Sequence, residues 1–144
     1  QPATNTYEFT CNKTLEKNSI YHIQLAHLMD CNNYMTVVDT QLAIPVNADS
    51  ANLVINEILF NPYPNSYDFV EIYNRSKNII DLKTIKIASF DDSMQIKNVN
   101  SISAKTKILY PEEYLVISEN TSDIESQYLC KYPDRLFQTK LPSF

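Results

Sequence analysis

Two glutamates, Glu57 and Glu71, stand in strand-like segments where a hairpin relation would bring them near each other, and paired carboxylates can do several kinds of chemistry. With Asp68 close to Glu71, the set Glu57, Asp68 and Glu71 offers oxygens to a calcium ion, which takes about six to eight of them. As glycosidase acids, Glu57 and Glu71 would need a separation of roughly 5 to 10 Å across a cleft. No Asp-x-Asp-x-Asp loop accompanies them. The plainer account has Glu57 paired with Arg75 or a lysine, or bonding backbone amides at a sheet corner. Catalysis is the least supported of these uses.

Other reactive types lack a supporting pattern. Serine, cysteine and histidine are all present, but there is no Gly-x-Ser-x-Gly elbow and no cysteine–histidine signature. Loops that cradle phosphate need glycine, and the 144 residues contain none. No cofactor is implied, and no catalytic residue is assigned. The three cysteines, Cys11, Cys31 and Cys130, form no Cys-x-x-Cys pair, and with only His22 and His27 no zinc set has the usual spacing. Cys11 and Cys31 flank one apparent hairpin and are the favoured disulfide pair. Three reduced, mostly buried thiols remain the open alternative.

Aromatic residues are the other binding chemistry. Among ten tyrosines, Tyr63, Tyr67, Tyr110 and Tyr114 sit at strand ends beside turns, where exposed rings would supply contact area and a hydroxyl to a glycan or a protein. Covering the ends of a sandwich is the plainer role for them. Of the loops, 61–67 is the first candidate for binding.

The elements that must position these residues are strands. Apolar residues recur with period two over most of the chain. Candidate strands are 7–11, 20–26, 34–44, 53–60, 67–74, 79–82, 84–90, 107–110 and 113–118, with 91–106 a loop or a frayed edge strand. His22 falls on the polar face with Gln24, opposite Tyr21 and Ile23. Residues 45–52 have no periodicity and read as a linker between a segment 1–48 and a domain 49–144. A single helix is expected at Ser122-Asp123-Ile124-Glu125, with Ser122 and Glu125 forming a capping box, Ile124, Tyr128 and Leu129 its apolar stripe, and Pro133 barring extension. Without glycine, the turns must place Asn and Asp at positive φ. Strands of this length separated by such turns indicate an all-β sandwich with one short helix.

Composition limits the partners. Hydrophobic residues make up 44% and charged residues 20%, the balance of a globular chain. A net charge of −5, with the nearest basic grouping scattered over Lys83, Lys86, Lys97, Lys105 and Lys107, argues against nucleic acid. No apolar run approaches the roughly 20 residues of a membrane span. The start at Gln1-Pro2-Ala3 reads as internal or processed.

The blocks Ile55-Asn56-Glu57-Ile58, Asn61-Pro62, Asp68-Phe69-Val70-Glu71-Ile72-Tyr73-Asn74-Arg75-Ser76, Ile80-Asp81-Leu82 and Leu109-Tyr110-Pro111-Glu112-Glu113-Tyr114-Leu115-Val116-Ile117 fall in the order seen in bacterial lamin tail domains. Residues 52–144 therefore resemble that family, with Leu141-Pro142-Ser143-Phe144 similar to a stretch late in the domain. The glycines of the family's pattern are missing, and the match stops before its last strands, so a C-terminally truncated domain is expected. Ile20-Tyr21-His22-Ile23 followed by Asp30-Cys31-Asn32-Asn33 is similar to the end of a bacterial Ig-like domain. Either the rest of that domain is missing or these strands pack onto the second domain. The resemblance implies an Ig-like β-sandwich preceded by strands of a partial Ig-like domain. It also implies a non-catalytic structural or interaction module of an exported, cell-surface, periplasmic or extracellular protein of Bacteroides-type bacteria. Its partner would be a protein or a cell-surface glycan. The alternative is an accessory glycan- or calcium-binding module of a larger hydrolase. Asp49-Ser50-Ala51 and Asp92-Ser93-Met94 are similar to short O-glycosylation sites of such exported proteins.

Overall fold

The structure, a computed structural model, describes residue 8 and residues 10–29 and 32–142. The expected strand at 7–11 falls partly outside these residues, and those of its positions that are described are not in a strand. Strands β1 (Ser19–Met29) and β2 (Met35–Ile44) form an antiparallel hairpin. β3 (Leu53–Leu59), β4 (Phe69–Asn74), β5 (Ile80–Asp81) and a 3-10 turn at Leu82–Thr84 follow. Next come β6 (Lys86–Phe90), β7 (Ile96–Ser101), β8 (Ile108–Leu109) and β9 (Tyr114–Ser118). Helix α1 (Thr121–Gln127), a 3-10 turn at Pro133–Arg135 and β10 (Leu136–Gln138) complete the described order.

The central sheet has the order β10-β9-β4-β3. Its strands alternate, so Val70 and Ile72 of β4 and Leu115 and Ile117 of β9 point to one side and are buried. They pack against Leu82, Ile87, Ile102 and Leu109, carried by the layer that contains the β5–β8 and β6–β7 pairs, and against Leu141 beyond β10. Each such burial is worth roughly 1.5–3 kcal/mol over exposure. The result is an all-β sandwich with a single short α-helix among the described residues.

One buried polar side chain locks the layers. Asn74 ends β4 with no exposed surface. Its Nδ2 donates to the carbonyls of Asn78, Tyr110 and Leu109 at 2.7, 3.0 and 3.2 Å. Its Oδ1 accepts from the amide and the hydroxyl of Ser76. The Asn-x-Ser end of the quoted motif is thus a turn lock between β4 and the β8–β9 corner.

Residues 91–106, read as a loop or a frayed edge strand, contain the edge strand β7, paired with β6 around a turn in which Asp91 Oδ1 accepts from the amides of Ser93 and Gln95. Three expectations change. The helix is capped by Asn120, whose Oδ1 accepts from the Asp123 amide, and not by Ser122. Asparagine caps as well as serine, and starting earlier lets Ile124 reach the protein interior at 3% exposure. The helix ends at Gln127, so Pro133 does not stop it but opens a separate 3-10 turn, and Leu129 lies off the helical stripe, fully exposed. Finally, positive φ is taken by Asn18, Asn33, Asn65 and Asn98, but also by His27, Met94 and Glu112, and by no aspartate among the described residues. In the β6–β7 turn the aspartate binds amides and Met94 takes the left-handed position instead.

The hairpin is a different kind of element. No described residue of β1 or β2 is buried. It meets the sandwich at its base, where Asn18 Oδ1 accepts from the Ile79 amide at 2.7 Å and Asn18 Nδ2 donates to the Lys77 carbonyl and Asn78 Oδ1. The segment 45–52, read as a linker, is stitched in as well: the Val46 amide donates to the Ile79 carbonyl and Val46 bridges Ile80. His22 and Gln24 are exposed on the hairpin, as their polar face requires.

Candidate functional site

β10 pairs parallel to β9, with Leu136 beside Val116 and Gln138 beside Ser118. A parallel neighbour cannot be reached by a tight turn; the chain must cross over a face of the sheet. That crossover is α1 and the segment behind it, and it passes over the outer face of the central sheet. The helix covers the face only in part, leaving a cleft of about 450 Å³.

The floor of the cleft is made by the outward residues of the same strands whose inward residues form the core. Phe69 and Glu71 of β4, Glu57 and Leu59 of β3, Tyr114 and Val116 of β9, and Leu136 of β10 line it, and Tyr128, Tyr132 and Arg135 come from the crossover. Phe69 meets Tyr128 edge-on at 6.0 Å between ring centres. Tyr114 stacks on Tyr73 at 4.4 Å. Between these two aromatic contacts lie the carboxylates: Glu57 and Glu71 are cross-strand partners in the β3–β4 register. Glu71 Oε1 accepts from Asn56 Nδ2 at 2.7 Å.

The basic residues at the rim are turned to other tasks. Arg135 forms an ion pair with Glu113 at 3.0 Å, and its guanidinium lies 5.0 Å from the centre of the Tyr132 ring. Lys131 sits 5.3 Å from the centre of the same ring. The expected pairing of Glu57 with Arg75 or a lysine does not form: of the two ion pairs among the described residues, Arg135–Glu113 and Lys97–Asp91, neither involves it. Outward strand geometry carries Glu57 into the cleft, beyond the turn that holds Arg75. Cys130, which also lines the cleft, is pushed above the usual thiol range by burial and then by Glu125, so the thiol form prevails and its nucleophilicity is low.

The wall of the cleft is pinned by Asp123. Its carboxylate accepts from the Ser66 hydroxyl at 2.6 Å, the Tyr67 amide at 3.1 Å and Gln127 Nε2 at 2.9 Å. The Ser66 hydroxyl first, then the Tyr67 amide and Gln127, hold this carboxyl below the usual carboxylate range against some desolvation. A second, more polar hollow of about 380 Å³ lies beyond the same loop, lined by Tyr67, Asp68, Asn98, Asn100, Glu119 and Lys140 among others.

Residues 47–139 match the family described as Lamin Tail Domain. The chain belongs to the lamin tail domain family. No curated protein and no solved structure matches it.

This lamin tail domain has the Ig-like β-sandwich fold implied by its motifs, and the sequence-derived site residues fall on it as follows. Glu57 and Glu71 come together, while Asp68 lines the polar hollow instead, since the odd and even positions of β4 face opposite ways and Asp68 precedes the strand. No three His, Cys, Asp or Glu among the described residues are grouped to hold a metal ion. The four tyrosines do not share one platform. Tyr114 lines the cleft and Tyr67 the hollow. Tyr63 is an exposed loop residue, and Tyr110 is half-buried, its carbonyl bound by Asn74. Cys11 is exposed, and its proposed partner Cys31 lies outside the described residues. Phe69, Tyr128, Tyr132 and Arg135 were not among the expected site residues. Their signal was present in part: Phe69-Val70-Glu71-Ile72-Tyr73 has apolar side chains on both faces, the mark of a strand covered on two sides.

Proposed function

We propose that this lamin tail domain is a non-catalytic interaction module of an exported or cell-surface protein, and that it engages a protein partner through the cleft on the outer face of its central sheet. The observation that carries this reading is a half-covered apolar and aromatic floor on rigid strands, with a few polar groups set into it. That is the usual make-up of a binding site. Tyrosine and arginine at its rim are residue types favoured at interface centres. Export is supported by the similarity of 20–33 to the end of exported Ig-like domains.

The test is a titration of isotopically labelled protein with a set of extended pentapeptides, followed by amide NMR. Shifts converging on Glu71, Tyr114, Tyr128 and Arg135 support the reading, and shifts confined to other surfaces remove it. A second reading, an accessory glycan-binding module, is favoured by the polar hollow with its tyrosine, asparagine and acidic side chains. Oligosaccharides would then shift Tyr67 and Asn100 and leave the cleft unchanged.

A further inference from the structure

Like charges set directly opposite on neighbouring strands repel, and the pair costs stability unless something positive lies between them. Glu57 and Glu71 are such a pair, Cα partners facing the same cleft. Among the described residues, neither cation of the cleft lining forms an ion pair with this pair of glutamates. Arg135 is bound to Glu113, and both Arg135 and Lys131 lie over Tyr132. The amide of Asn56 supplies the one hydrogen bond that Glu71 receives from another side chain among the described residues, and it is neutral. On either side of the acidic pair stand aromatic contacts, Phe69 with Tyr128 and Tyr73 with Tyr114.

Resting on the reading of the cleft as the interaction site, we infer that its ligand is a lysine or arginine side chain presented by an extended segment of the partner protein. The positive head lies between Glu57 and Glu71, and the methylene stem runs along the aromatic walls. A long basic side chain has this division between an apolar stem and a charged tip. Aromatic faces add attraction for the cation. An extended segment is the form of delivery that fits, because β3 is an edge strand of the order β10-β9-β4-β3 among the described residues. A strand laid along that edge sends alternate side chains over the outer face beside Glu57. An acidic ligand is repelled by the same pair.

The experiment titrates labelled protein with acetyl-Val-Thr-Lys-Thr-Val-amide, its norleucine counterpart, and butylammonium alone, with amide NMR as the readout. The lysine peptide is expected to shift Glu57, Glu71, Tyr114 and Tyr128 and to bind about tenfold more tightly than the norleucine peptide, with added salt weakening it. In the E57Q/E71Q variant that advantage disappears. Equal binding of the norleucine peptide in the cleft overturns the cationic ligand while leaving the cleft as the interaction site. Butylammonium binding as tightly as the peptide overturns the extended partner. If neither peptide shifts a cleft amide, both the ligand and the cleft reading fall.

Discussion

The two faces of the central sheet are built from the same strands by alternate residues, yet they are filled differently. On the inner face Val70, Ile72, Leu115 and Ile117 are buried against a full layer, and the one polar side chain at the end of β4, Asn74, has its amide and carbonyl satisfied. On the outer face Phe69, Glu71, Tyr114 and Val116 meet only a seven-residue helix and an irregular crossover, and two carboxylates face each other. The inner face therefore carries the stability. The outer face leaves its groups half-covered, the pattern expected where side chains are held for recognition.

The largest test of this division is Asn74→Ala. It removes the side-chain donor from the Asn78, Leu109 and Tyr110 carbonyls, of which Tyr110 keeps the Glu113 amide, and each buried group left unsatisfied costs about 1–3 kcal/mol. A drop of about 3 kcal/mol in urea unfolding is expected; a change within ~0.5 kcal/mol would mean that Asn74 is not the inner lock.

Glu112→Gly should act in the opposite direction. Glu112 holds φ at 61° in the turn entering β9, a conformation that costs a side-chain-bearing residue about 1–2 kcal/mol. Part of the relief is offset by the greater freedom of glycine in the unfolded chain, so a gain of about 0.5–1 kcal/mol is expected in the same assay. A loss would show that the turn geometry is otherwise.

A smaller effect separates the cleft wall from the sheet. Asp123→Asn weakens the contacts to Ser66 and Tyr67 that pin α1. Hydrogen exchange should then quicken at the helical amides and stay unchanged in β4 and β9. Acid should do the same to the native protein. The Asp123 carboxyl is held low in the folded state, so its contribution is complete above the unfolded value, about 3.9, and is lost as pH falls through the lower folded value. Loss of helix protection already at pH 5 would contradict this order.

The strands of the central sheet were legible from sequence through period-two alternation and the motif blocks around Glu57, Asn74 and Leu115. But Phe69-Val70-Glu71-Ile72-Tyr73 is apolar on both faces, so alternation alone does not say which of its residues turn inward. The outer site was legible only in pieces. Glu57 and Glu71 could be seen as neighbours, but the parallel strand β10, which requires the crossover and so creates the cleft, is three residues long and has no alternation to detect. The tyrosines at strand ends looked equivalent in sequence; only the path of α1 and the loop before β4 assigns Tyr114 to one hollow and Tyr67 to another. The helix starts before the capping-box spacing at Ser122 indicates, since Asn120 offers an equally good cap one residue before the helix. The β1–β2 hairpin was legible as strands, but its attachment through Asn18 depends on a single side chain at positive φ.

The most direct test of the division between the faces is the urea unfolding of the double variant E57Q/E71Q against the native protein. Glutamine at position 71 can still accept from Asn56, so the substitution removes charge with little change in shape. If the pair is kept for a ligand and not for the fold, the variant is as stable as the native protein, or more stable by up to about 1 kcal/mol as the repulsion is relieved. Destabilisation by more than about 1 kcal/mol would show that the carboxylates hold the sheet together and would contradict the assignment of the outer face to recognition.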